Sequence, residues 1–208
     1  MNDILGGMSN TENKQQIYLG FKTRDQKFFA NGETEVPIEY LQLDTDTFKS
    51  GWGRYTKAEG FQYKWDSKFG VVNPKPSDEW RRAFSAWVMP SGAEHAYLWQ
   101  SFSFAESKAF NNICGLFWSD KANNVGKLPV VEYKGSKHIQ VGAGNSSELS
   151  FVFVKWGDRG FNVPEWYVDP DAPADDDDDG FVSPNEGLAD KVAEMVAKTE
   201  LSDDDIPF

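Results

Sequence analysis

Two stretches of this chain carry residue types whose spacing suits a binding surface. The first is Lys49-Ser50-Gly51-Trp52-Gly53-Arg54-Tyr55-Thr56-Lys57. Glycines on both sides of Trp52 free the backbone to present an indole, and Lys49, Arg54 and Lys57 stand close enough to meet phosphates. The second is Phe61-Gln62-Tyr63-Lys64-Trp65, which in an extended strand puts three rings on one side and Lys64 on the other. Ring faces stack on unpaired bases whatever the base, and Lys or Arg adds a salt-dependent grip on the backbone. Each ring also has a plainer reading. A Trp between glycines can fold back to cap a barrel, and an aromatic row of a strand is commonly core.

These residues need strands to position them. From Ile17 onward the chain reads as short alternating runs broken by Gly, Asn and Pro, an all-β pattern. Strands are expected at Ile17 to Phe21, Val36 to Leu43, Phe61 to Asp66, Arg82 to Met89, Tyr97 to Phe104, Val130 to Tyr133, His138 to Val141 and Leu149 to Trp156. Gly51, Gly53, Gly60, Asn73-Pro74, Pro90-Ser91-Gly92, Gly135 and the loop Gly142 to Ser147 are the expected turns. Alternation puts Phe84, Ala86 and Val88 inside and leaves Arg81, Ser85 and Trp87 outside; likewise Leu98, Phe102 and Phe104 fall inside while Tyr97, Trp99, Ser101 and Ser103 face out. One helix interrupts the strands. Ser103-Phe104-Ala105-Glu106 is a capping box, and Ala109, Phe110, Ile113, Leu116 and Phe117 follow at helical spacing. Strands, one helix, then more strands is the order of an OB-fold-like barrel, with elaborations in 44–60 and 66–80.

The expected layout is a flexible arm at 1–14, an OB-like domain at 15–168 and an acidic disordered tail at 169–208. The net charge of −12 argues against nucleic acid only until it is divided. Residues 1–168 hold 19 basic and 19 acidic side chains, residues 169–208 hold 2 and 14, and all eight Trp precede residue 169. A neutral body can carry a basic groove beside its rings. One cysteine, Cys114, excludes an internal disulfide and a cysteine zinc cluster. No apolar run has the length of a membrane span, and residues 1–11 lack a signal peptide's pattern, which points to the cytoplasm.

Nothing in the sequence suggests an enzyme or a cofactor. Gly142 and Gly144 lack the third glycine of a dinucleotide site, Gly126-Lys127 lacks the upstream glycine of a phosphate loop, and His95 and His138 stand alone. In the tail, Pro170, Pro173 and Asp175 to Asp179 make a self-repelling linker, and Ser183-Pro184-Asn185-Glu186 opens a short helix expected over 184–199. Asp175, Asp177, Asp179, Gly180 and Glu186 also match calcium-loop spacing, but Pro170 and Pro173 deny that loop its entering helix, so no metal is expected.

The chain ends in Ser202-Asp203-Asp204-Asp205-Ile206-Pro207-Phe208. Carboxylates around an extended apolar plug suit capture, with Phe208 entering a pocket while cations take Asp203, Asp204 and Asp205. Asp203-Asp204-Asp205-Ile206-Pro207-Phe208 resembles the docking tip of bacterial single-stranded-DNA-binding proteins, and phage-encoded members carry similar tails. The resemblance covers 203–208 alone. It implies a protein that coats single-stranded DNA in a bacterial host's cytoplasm. Its tip would recruit replication, recombination and repair proteins, such as a polymerase, helicase, primase or nuclease, and compete for the basic groove when DNA is absent. DNA-binding residues would then be Lys49, Trp52, Arg54, Tyr55, Lys57, Tyr63, Lys64, Trp65, Arg81, Trp87 and Trp99, with Asp203 to Phe208 binding partners. The body is longer than the bacterial domain and the linker is acidic, so a tetramer is not implied; phage proteins of this layout include monomers and dimers. A second reading makes the chain an acidic DNA mimic that decoys a host DNA enzyme.

Overall fold

The computed structural model describes residues 17–142 and 144–164. The arm, the linker, the 184–199 helix, the calcium-type spacing and the 202–208 tip lie outside the described residues.

Along the chain run β1 (Tyr18–Lys22), β2 (Lys27–Ala30), β3 (Thr34–Val36), β4 (Tyr40–Thr56), β5 (Gly60–Trp65), β6 (Arg81–Pro90) and β7 (Tyr97–Ser101). Helix α1 (Phe104–Phe117), a 3-10 segment (Trp118–Asn123), β8 (Lys127–Val141) and β9 (Gly144–Asp158) follow. The strands make one sheet in the order β3-β2-β1-β7-β6-β4-β8-β9, with β5 branching from β4. Pairing is antiparallel except between β1 and β7. The sheet curls into a half-barrel, and among the described residues the chain is β-rich with one α-helix, as its alternation implies.

β4 is the spine of the sheet. One of its edges pairs with β6 along most of its length; the other pairs first with β8 through Tyr40, Leu41 and Gln42, then with β5 from Gly51 to Thr56. The expected break at 44–60 is therefore a continuation. Only a register shift between Asp44 and Lys49 marks it, and Gly51 and Gly53 lie inside the strand instead of in turns. The two strands expected at 130–133 and 138–141 are likewise one, β8, bulged at Gly135 with φ +98°.

α1 fills the inner face. Ala109, Phe110, Ile113, Cys114 and Phe117 are buried there with Leu19, Phe84, Ala86, Val88 and Trp99. Leu116, expected among them, is 46 % exposed, and Cys114 takes the place. The cap holds in part: Ser103 Oγ accepts the amide of Glu106 at 3.3 Å. The Glu106 carboxylate turns inward instead of returning to the Ser103 amide. Trp99 Nε1–H and the Phe21 amide donate to Oε1, both at 3.0 Å, and the Ser101 and Ser103 hydroxyls donate to Oε2 at 2.7 and 2.8 Å. Burial pushes this carboxyl above its ordinary range, and the four donors pull the other way.

The outer face is covered too. Gln42 and Asp44 project from β4 to hold the segment after β9: Gln42 Oε1 accepts the Gly160 amide at 2.9 Å, Gln42 Nε2 donates to the Asp158 carbonyl at 2.7 Å, and Arg159 pairs with Asp44. The carboxylate raises the guanidinium's already high pKa further. This lays Phe161 into a second buried cluster with Trp87, Ala96, Leu98 and Leu128.

That cover corrects two expectations. Trp87 points to the outer face as expected, yet it is only 1 % exposed because Phe161 and its neighbours lie over it. Trp99 faces the opposite way from the expected one. β7 pairs Trp99 with Ala86 and Leu98 with Trp87, so Trp99 is inner, 0 % exposed, and Leu98 is outer. Tyr97 is inner and buried with it. Neither Trp87 nor Trp99 presents a ring face to a ligand.

Candidate nucleic-acid interface

The β4–β5 hairpin sorts its residues by parity. Across three strands the register aligns Ala83, Gly51 and Trp65 in one row, Arg81, Gly53 and Tyr63 in the next, and Tyr55 with Phe61 beyond them. Cross-strand partners share a face. Small residues in β4 and β6 thus make a low floor, and rings from β5 lie on it.

The glycines are there for close approach. A Cβ on Gly51 would come within 2.4 Å of the Lys64 carbonyl oxygen and 2.8 Å of Trp65 Cα; on Gly53 it would meet Phe102 Cδ1 at 2.6 Å. Trp65 and Phe102 therefore lean over positions where any side chain would hold them off. Gly51→Ala collides with backbone and is expected to cost about 3 kcal/mol in denaturant unfolding, whereas Gly53→Ala meets only the Phe102 side chain, at its ring and its Cβ, and costs about 2 kcal/mol. Equal costs would mean that these contacts do not set the hairpin's geometry.

The rings connect into a strip. Tyr63 stacks on Trp65 with centroids 5.1 Å apart and planes 9° from parallel. Phe102 meets Tyr63 at 5.9 Å and Phe61 at 6.0 Å, and Phe61 meets Tyr55 at 4.9 Å. Exposure rises along it: Tyr63, Trp65 and Phe102 are half-buried, Tyr55 is 56 % exposed and Phe61 is 70 % exposed. Burial raises the Tyr63 phenol above its usual pKa, partly offset by its hydrogen bond with Gln100. Cations border the strip. Lys49 Nζ lies 5.8 Å from the Trp65 ring, and Arg81, paired across from Gly53, is exposed. Lys57 is exposed in the β4–β5 turn.

Trp52, Arg54 and Lys64 occupy the opposite face. Trp52 is half-buried, its Nε1–H donates to the Asn73 carbonyl at 2.9 Å, and the Arg82 guanidinium covers its ring at 4.9 Å. Arg82 in turn pairs with buried Asp66 at 2.8 Å. Trp52 thus pins the 66–80 segment under the hairpin, the plainer of its two readings. Arg54 and Lys64 flank buried Trp80 at 4.9 and 5.0 Å and, with Gln62 and Pro76, line a shallow depression of about 470 Å³. Carboxylates of Glu59 and Glu79 hold Arg54 at 2.9 and 3.4 Å.

The structure therefore gathers Lys49, Tyr55, Tyr63, Trp65 and Arg81 on one face, sets Trp52, Arg54 and Lys64 on the other, and buries Trp87 and Trp99. Sequence reasoning left Phe61 out of the contact set and placed Phe102 in the core. The signal for Phe61 was its shared parity with Tyr63 and Trp65. None was available for Phe102, whose neighbour Gly53 is distant in sequence.

Among the described residues, no group of three or more His, Cys, Asp or Glu could hold a metal ion, and no helix is long and apolar enough to cross a membrane. Compared with protein-family models, curated proteins and solved structures, the chain matches none.

Proposed function

We propose that the protein binds single-stranded DNA without strong sequence preference, protecting it, and that residues 203–208 recruit replication and recombination proteins. The observation that carries this reading is the five-ring strip made by the β4–β5 hairpin and Phe102, ending in exposed Tyr55 and Phe61 and bordered by Lys49 and Arg81. Duplex DNA hides its base faces, so the aromatic part of such a surface favours unpaired strands. An OB-like barrel accords with the pairing order. β4, β6 and β7 run as neighbouring antiparallel strands, α1 follows, and the β8–β9 hairpin returns to pair with β4. In this reading β1, β2, β3 and β5 elaborate that core. The acidic tip supports the recruiting role by its composition.

Titration with oligo-dT at two salt concentrations tests the proposal. Trp65 stacks within the strip, so binding should quench tryptophan fluorescence. Affinity should fall as salt rises, and a duplex of equal length should compete poorly. No response to oligo-dT would overturn the reading in favour of an acidic decoy.

A further inference from the structure

A second basic feature lies between α1 and the β8–β9 hairpin. It is a groove of about 390 Å³ whose lining includes Ala109, Asn112, Lys134, Lys137, Glu148 and Phe151. At its mouth a single carboxylate is shared by two ammonium groups from different elements. Glu148 Oε1 lies 3.3 Å from Lys108 Nζ on α1, and Oε2 lies 2.5 Å from Lys137 Nζ on β8. Lys134 joins the lining while pairing with Glu132 at 2.5 Å.

The backbone is built to bring these lysines together. Lys134 and Lys137 are three residues apart, which in a regular strand sends them to opposite faces. The register break between Tyr133 and Gly135, with Gly135 at φ +98°, resets the parity so that both line the groove. On α1, Phe104, Lys108 and Asn112 recur every fourth residue and so share one side of the helix. Lys108 Nζ sits 5.9 Å from the Phe104 ring, two residues beyond Phe102 of the ring strip. The chain thus passes from Phe102 of the strip into the helix that borders the groove within two residues.

Resting on the reading above, we propose that this groove is a phosphate subsite for the single strand beyond the rings, and that Glu148 occupies it in the free protein as a resident anion. Lys108 and Lys137 then exchange one carboxylate for a backbone phosphate. Glu148 weakens binding by competing for both lysines and repelling the incoming charge.

The test uses the full chain, a thirty-nucleotide oligo-dT and three variants. Glu148→Gln should tighten binding about threefold at low salt, the reverse of what losing a purely structural ion pair would do. Glu94→Gln removes an exposed carboxylate elsewhere, on the turn between β6 and β7, and should tighten it measurably less. Lys108→Ala/Lys137→Ala should weaken binding and lower the slope of log K against log salt by about 1.4, since each single-strand phosphate contact contributes about 0.7. The amplitude of tryptophan quenching should stay the same, because the rings are untouched. If the wild type binds oligo-dT but Glu148→Gln is no tighter than Glu94→Gln, or the double variant keeps the wild-type slope, the subsite is overturned while single-strand binding stands. A wild type that ignores oligo-dT overturns both.

Discussion

Replacing Tyr55 and Phe61 together by alanine is expected to weaken oligo-dT binding about a hundredfold and to leave the unfolding midpoint nearly unchanged. Base stacking is worth roughly 1 to 3 kcal/mol per ring, so two rings at about 1.5 kcal/mol each give two decades of affinity. The stability expectation comes from exposure: at 56 % and 70 % these side chains bury little, and what folding loses is mainly their own cross-strand contact, below about 1 kcal/mol. Trp87→Phe is the matched control. That indole is sealed under Phe161, so the variant should cost stability and spare binding. The two effects are separable by chemical unfolding and fluorescence titration on the same samples. Full affinity in the Tyr55→Ala/Phe61→Ala protein would remove the strip from consideration as the DNA contact.

Glu106→Ala should be among the most destabilising single changes in the domain, at about 4 kcal/mol. It strands the Trp99 indole, the Phe21 amide and the Ser101 and Ser103 hydroxyls, and it removes the tie between β1, β7 and the start of α1. Glu106→Gln should cost far less, because the amide oxygen can accept from Trp99 and Phe21 while the NH₂ donates to the serine hydroxyls. pH separates the wild type from Glu106→Gln further, since only the carboxyl titrates. Burial raises the native carboxyl above its unfolded value, so the folded protein holds the proton over a range where the unfolded chain has released it. The associated stability is present below the ordinary carboxylate range and is lost as pH rises through the raised native value. Wild type should therefore lose ground to Glu106→Gln over the interval in which pH rises above the ordinary carboxylate range. A gap between the two proteins that stays constant over that interval would contradict the burial assigned to this group.

What the sequence made legible was local. The helix came through with its N-cap because Ser103, Glu106 and the repeat from Ala109 to Phe117 are contiguous signals. Phe84, Ala86 and Val88 were readable as an inner row for the same reason. The misreadings share a cause: each depended on a neighbour far along the chain. Trp87 looked exposed because Phe161, which covers it, lies more than seventy residues later. The face of Trp99 was inverted because Phe102 and Phe104 were used to set the parity of a strand that stops at Ser101. Gly51 and Gly53 read as turn residues, although what they permit is the approach of Trp65 and Phe102. At the candidate interface the composition of the hairpin was visible and its two-sidedness was not, since only pairing with β6 and the 66–80 segment decides which residues sit together.

Cys114 is sealed against the sheet by the inner side of α1, and burial raises its thiol pKa far above the ordinary range. Its thiolate is therefore scarce at neutral pH and out of reach of alkylating reagents in the native state. Since it is also the chain's one cysteine, a maleimide dye added to an Ala58→Cys variant should label the β4–β5 turn alone, giving a reporter beside the rings without any cysteine having to be removed first.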